Sequence, residues 1–236
     1  MSEFTETSDI AEKADEVKQV PVLSKFGRRI LGVLIEKART TPDGYPLSLN
    51  GLVTGSNQKS NRSPLMSLTP EQVEDELVTL REIGAVAEVH GGGRVPKYRH
   101  YASDFLGVKG VETGIMAELL LRGEQTVGDL RSRASRFGAI ADVGELQTIL
   151  TSLIERGLVV ALTPAGRGQI VTHTLYQPEE LERIKRDVAA NPQSVAAPSS
   201  SSRSTAAQEI EKLRGDVVAL TATVEELKQR VAKLES

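Results

Sequence analysis

A six-position pattern of five apolar residues around a glycine occurs twice in this chain. Val73, Leu77, Leu80, Gly84, Val86 and Val89 make the first copy; Leu146, Leu150, Leu153, Gly157, Val159 and Leu162 make the second, 73 residues later (146 less 73). Before each glycine the apolar spacing is four then three, which is one face of a helix. The glycine stops that helix, because the left-handed residue after a helix end is cheapest without a Cβ. Extended segments follow on both sides of a Gly-rich turn, GGGR at residues 91–94 and PAGRG at residues 164–168. Each copy therefore reads as helix, glycine, strand, turn, strand.

A shared pattern also lies upstream. Ser48-Leu49-Asn50-Gly51-Leu52 matches Thr126-Val127-Gly128-Asp129-Leu130. Ser48 and Thr126 suit a helix N-cap, since a hydroxyl can accept an orphan first-turn N–H. Apolar helices are expected before them, over residues 26–38 and 111–122. Three helices closed by a hairpin form the winged-helix variant of the helix-turn-helix. The expected fold is thus α+β, mostly α: winged-helix domains at 24–104 and 105–177, then a C-terminal coiled-coil helix.

Residues 31–64, LGVLIEKARTTPDGYPLSLNGLVTGSNQKSNRSP, resemble the first domain of the YceH-like family of bacterial proteins. LLLRGEQTVGDLRSRASR, residues 119–136, resembles the second domain. The resemblance spans about residues 26–177. It implies tandem winged helices and supplies no activity.

The flanks read differently. Residues 1–23 carry six acids and two bases and are expected to form a disordered arm. Residues 178–207 are expected to begin as a helical extension and end in a Ser/Ala/Pro-rich flexible linker. Within 208–236, Ile210, Leu213, Val217, Leu220, Val224, Leu227, Val231 and Leu234 alternate spacings of three and four. β-Branched residues at one core position and Leu at the other favour a parallel two-stranded coil. A homodimer is expected; a trimer stays open because no buried Asn fixes the register.

Several chemistries find no support. There is no Cys, so disulfides, thiolate metal sites and Cys nucleophiles are excluded. Three His leave little material for a metal centre, although His90 and His100 could face each other across the first hairpin. Gly51 to Ser60 lacks the spacing of a phosphate loop, and no nucleophile elbow is present. No cofactor and no enzymatic activity are expected. No apolar run reaches the roughly 18 residues that span a bilayer, and no signal-peptide pattern opens the chain. A cytoplasmic protein without a membrane partner is the expectation.

The fold raises DNA binding, and the charges divide over it. The first third helix, expected over residues 71–83, holds Glu71, Glu74, Asp75, Glu76 and Glu82 against Arg81, and phosphate would repel it. The second, over residues 142–156, offers Glu145, Gln147, Thr148, Thr151 and Ser152 for base contact. Candidate phosphate contacts are Arg94, Lys97 and Arg99 on the first hairpin, Arg131, Arg133 and Arg136 in the second domain, and Lys59 with Arg62 in a loop. A dimeric regulator bound to double-stranded DNA is one expectation. A scaffold whose winged helices dock a protein partner is the other.

Overall fold

A computed structural model describes residues 21–90, 95–192 and Val195. The expectations for the acidic arm up to residue 20, for the turn with Arg94, and for the linker and coiled coil fall outside the described residues. The chain divides into two units, Met1–Pro192 and Gln193–Ser236, and both repeats lie in the first.

The described part is α+β and mostly helical. The first repeat runs α1 (Lys25–Thr40), a 3-10 turn (Pro42–Gly44), β1 (Leu47–Ser48), α2 (Leu49–Ser56), α3 (Pro70–Glu82), β2 (Val86–Val89) and β3 (Lys97–His100). A short α4 (Ala102–Leu106) leads to the second repeat: α5 (Val111–Arg122), β4 (Gln125–Thr126), α6 (Val127–Ala134), α7 (Val143–Glu155), β5 (Val159–Ala161) and β6 (Ile170–His173). Helix α8 (Pro178–Ala190) follows. Each repeat holds a three-stranded antiparallel sheet of the same order, β1-β3-β2 and β4-β6-β5.

The local signals act as their chemistry dictates. The Ser48 hydroxyl accepts from the Gly51 N–H at 3.2 Å, and the Thr126 hydroxyl from the Asp129 N–H at 3.1 Å. Gly84 and Gly157 sit at φ 75° and 70°. Beyond them the Ala85 N–H reaches back to the Leu80 carbonyl, and the Leu158 N–H to Leu153, both at 2.9 Å. These bonds satisfy carbonyls at the helix end and turn the chain into a strand. The strands of the first hairpin pair Val86 with His100 and Val89 with Lys97. His90 therefore lies at the tip end and His100 at the base, so the two do not face each other. His90 is 81% exposed beside Glu88, whereas His100 packs inward with Tyr45.

Helix α1 is buried continuously from Gly27 to Glu36, because it packs on its own repeat and also along α5. Gly32 makes that approach possible, and Gly114 lets the segment after α6 close on α5. A Cβ on Gly32 would lie 3.0 Å from Leu121 Cγ, and one on Gly114 only 2.4 Å from Phe137 Cβ. Gly114→Ala should therefore cost about 1–3 kcal/mol by overpacking. Urea denaturation checks this, and an unchanged midpoint would show that Phe137 moves aside freely.

The arrangement of the repeats was open from sequence. They share one apolar core, which runs from Leu31 and Leu34 through Ile115 and Leu119 to Leu150. Polar clamps cross the same seam. Arg39 donates to the Phe137 and Gly110 carbonyls at 3.0 and 2.7 Å, and the Ser63 N–H donates to the Leu121 carbonyl at 3.0 Å.

Candidate functional site

Charged side chains form a connected cluster at this seam. Glu36 on α1 and Glu118 on α5 both lie on helix faces that the core covers, at 3% and 0% exposure. A buried carboxylate needs a cation and hydrogen bonds. Arg136, from the segment between α6 and α7, bridges them: Nη1 is 3.0 Å from Glu36 and Nη2 is 2.8 Å from Glu118. The other oxygen of Glu36 takes Arg62 Nη2 at 2.5 Å, and the other oxygen of Glu118 lies 2.8 Å from Arg122 Nε. That last approach is off the hydrogen-bond direction and acts as an ion pair alone. Arg122 Nη2 then donates to the Asn61 side-chain oxygen at 2.7 Å, and Arg62 Nη1 to the Asn61 carbonyl at 2.8 Å. Asn61 and Arg62 are neighbours in the chain, so the series closes on itself. The result is a ring: Arg62, Glu36, Arg136, Glu118, Arg122 and Asn61.

The loop after α2 is shaped to enter this ring. The Asn57 side chain accepts from the Leu68 N–H at 2.7 Å and donates to its carbonyl at 2.9 Å, which ties the loop ends together. Asn61 adopts φ 58°, a left-handed geometry that Asn tolerates better than most residues. Arg29 lies beneath, donating to the Ser56 and Pro64 carbonyls at 3.0 and 2.6 Å. Burial first, and then the nearby Arg62 charge, bring its pKa down to about 10. Burial likewise lowers that of Arg122; Glu118 opposes the change, and Arg133, Arg136 and Arg62 add to it.

The structure sorts the eight cations chosen from sequence. Arg62 is corrected outright: it is 5% exposed, and its guanidinium is committed to Glu36, Gly55, Gln58 and Asn61. A loop position suggested a free cation, but the loop folds inward to neutralise Glu36. Arg136 is held by two carboxylates. Arg133 donates to Gln125 at 2.6 Å and stands 3.9 Å from Asp129, and Arg131 donates to the Ala141 carbonyl at 3.0 Å. Lys59, Lys97 and Arg99 are exposed, and none forms an ion pair with a described residue. Arg99 lies 5.1 Å over the Tyr101 ring. Arg94 lies outside the described residues. Arg122 is the cation that the sequence reading missed. Its signal was present: Glu118 and Arg122 are four apart within a helix that is otherwise almost wholly apolar.

The third helices also part from expectation in detail. Glu71, Glu74, Asp75 and Glu82 are exposed on α3, as is Val78 at 50%. On α7, Thr148 and Thr151 turn their hydroxyls back to the Gly144 and Gln147 carbonyls, and Gln147 is half-buried and bonded to Gln169. Ser152 is half-buried as well. These side chains are poorly placed to read a base edge.

The two sheets differ. On β3 Lys97 and Arg99 are exposed around buried Tyr98, whereas all four residues of β6 are buried. Tyr176 covers β6: its ring stacks on His173 at 4.0 Å, its hydroxyl meets Thr172 at 3.1 Å, and Arg28 lies 4.4 Å over it. Arg28 also reaches Glu180 of α8 at 2.6 Å.

A family model described as a protein of unknown function, DUF480, matches residues 23–168, a span that takes in both α1 and α5 and nearly all of both repeats. The chain belongs to the DUF480 family. A UPF0502 protein from Rhodopirellula baltica is 52% identical over 189 residues, 78% of each chain. One from Aeromonas hydrophila subsp. hydrophila is 38% identical over 221 residues, 91% of this chain and 98% of that one. One from an Acidovorax species is 36% identical over 216 residues, 88% and 93% respectively. In this DUF480 protein every ring residue, Glu36, Asn61, Arg62, Glu118, Arg122 and Arg136, falls within the matched span. No helix among its described residues is long and apolar enough to cross a membrane.

Proposed function

We propose that this DUF480 protein is a non-enzymatic, DNA-associated regulator built of two winged-helix modules and dimerised by its C-terminal heptads. Support for the modules comes from the repeated order of helices and strands and from the identical sheet orders. The YceH-like resemblance of residues 31–64 and 119–136 is compatible with the family and with this reading. Support for dimerisation is the heptad pattern from Ile210 to Leu234.

The observation that carries DNA association is the first hairpin strand. Lys97 and Arg99 project from the central strand of their sheet, exposed and free of carboxylates. Such cations neutralise phosphates and bind without reading sequence. The acidic face of α3 would be repelled from a groove, so the mode is hairpin-led contact with the backbone. Anisotropy of the full chain with mixed-sequence duplex should show affinity that falls with salt. Lys97→Ala/Arg99→Ala should lower the salt slope by about 2, one for each phosphate contact. An unchanged slope sinks the hairpin contact.

A protein-docking scaffold is the second reading. Exposed Val78 amid Glu71, Glu74, Asp75 and Glu82 on α3 favours it. Crosslinking from residue 78 in cells would give a discrete protein adduct on this reading. It fails if the adducts are to nucleic acid alone.

A further inference from the structure

The ring does more than hold the repeats together. Its charges are layered. Glu36 and Glu118 have side-chain exposures of 4% and 0%, whereas Arg122, Arg133 and Arg136 show 18%, 28% and 28%. The arginine side chains are therefore partly open to solvent while the carboxylates stay buried. Four guanidiniums, those of Arg62, Arg122, Arg133 and Arg136, face three carboxylates, Glu36, Glu118 and Asp129. Lys59, two residues before Asn61 and exposed, adds a further positive charge on the adjoining loop.

The guanidiniums are also fixed in place. Glu118 holds Arg122 and Arg136 on its two oxygens, and Gln125 fixes Arg133. Gln125 in turn donates to the Glu118 carbonyl at 3.4 Å. A guanidinium carries five donors, and Arg136 directs two nitrogens at carboxylates. Its Nε and Arg122 Nη1 have no partner among the described residues. Guanidinium forks that are held in place and keep unused donors are what tetrahedral oxyanions require.

We propose that the exposed rim of the ring, Arg122, Arg133 and Arg136 with Lys59, is a phosphate-binding site that grips the backbone of double-stranded DNA across the seam between the repeats. The site exists only when the repeats are docked, because Lys59 and Asn61 come from one repeat and the arginines from the other. It rests on the DNA-associated reading above and locates a second contact, separate from the hairpin strand.

The test uses the full chain, a mixed-sequence DNA duplex and, separately, inorganic pyrophosphate. Arg133→Gln is the variant safest for folding, since Arg133 neutralises no buried carboxylate. Arg122→Gln/Arg133→Gln is the stronger one, and thermal unfolding checks that both fold. Anisotropy over a salt series should show the slope of log affinity against log salt falling by about 1 in Arg133→Gln and about 2 in the double variant. If the double variant folds and binds the duplex as the parent does, while Lys97→Ala/Arg99→Ala weakens it, the seam site is overturned and the hairpin contact stands. No duplex binding by the parent at low salt overturns both. If pyrophosphate raises the melting temperature of the parent but not of Arg133→Gln, and the duplex does not bind, the site serves free phosphates and the DNA assignment is overturned.

Discussion

Glu36→Gln should destabilise the unit that contains both repeats by about 3–5 kcal/mol, the usual cost of leaving a buried charge without its partner. The side chain of Arg62 is 0% exposed, and Glu36 is its counter-ion. Glutamine keeps the volume and one acceptor oxygen, but it removes the charge and sets an amide donor against a guanidinium in place of the other oxygen. For a unit of this size the melting temperature should fall by roughly 10 °C. Adding Arg62→Met should restore part of the loss, since a buried pair replaced by apolar groups costs far less than one left half-broken. The ring straddles the seam and the core is shared, so the residual unfolding should stay a single transition. Calorimetry of the full chain decides the matter. A loss below about 1 kcal/mol would mean that water reaches Arg62 in solution and that the ring adds little.

Acid should weaken the fold through two histidines in equivalent places. His100 ends β3 and His173 ends β6, and in each the ring Nδ1 accepts the backbone N–H two residues on, from Ala102 at 3.2 Å and Leu175 at 3.1 Å. A ring nitrogen that accepts is unprotonated, so both imidazoles are held neutral. Burial, helped by the Arg99 and Arg39 charges, brings the His100 pKa from 6.5 down to about 4. Burial and Arg28 push that of His173 well below its ordinary value. The unfolded chain takes up a proton near pH 6.5 and folded His100 does not until about pH 4. Stability is therefore complete above pH 6.5 and is lost as the pH falls toward 4. His100 alone contributes about 3 kcal/mol to that loss, and His173 adds in the same direction. In His100→Asn the amide oxygen can still accept the Ala102 N–H, yet nothing titrates at that site. The urea midpoint should then change less between neutral pH and about pH 4. An equal change in parent and variant would show that His100 is not responsible.

These two effects differ in how far the sequence announced them. The matched glycines, hydroxyl caps and apolar spacing were legible because each acts within a few residues of itself. An N-cap needs an N–H three residues on, and a helix stop needs one backbone angle, so Ser48, Thr126, Gly84 and Gly157 can be read without a fold. The equivalence of His100 and His173 was within reach on the same ground, because they occupy the same strand position of the repeat. The ring was not legible. Glu36 and Glu118 are 82 residues apart (118 less 36) and share Arg136 only because α1 packs along α5. Arg62 looked like a loop cation because nothing local shows that the loop turns inward.

What the sequence determined by itself was a repeated α+β pattern with defined helix starts and stops, since those depend on backbone hydrogen bonds and periodic burial over short spans. What only the tertiary structure decided was which charges meet solvent. Whether a cation is buried with a carboxylate, as Arg62 is, or stays partly open above one, as Arg136 does, follows from how α1 packs along α5, an approach that Gly32 permits.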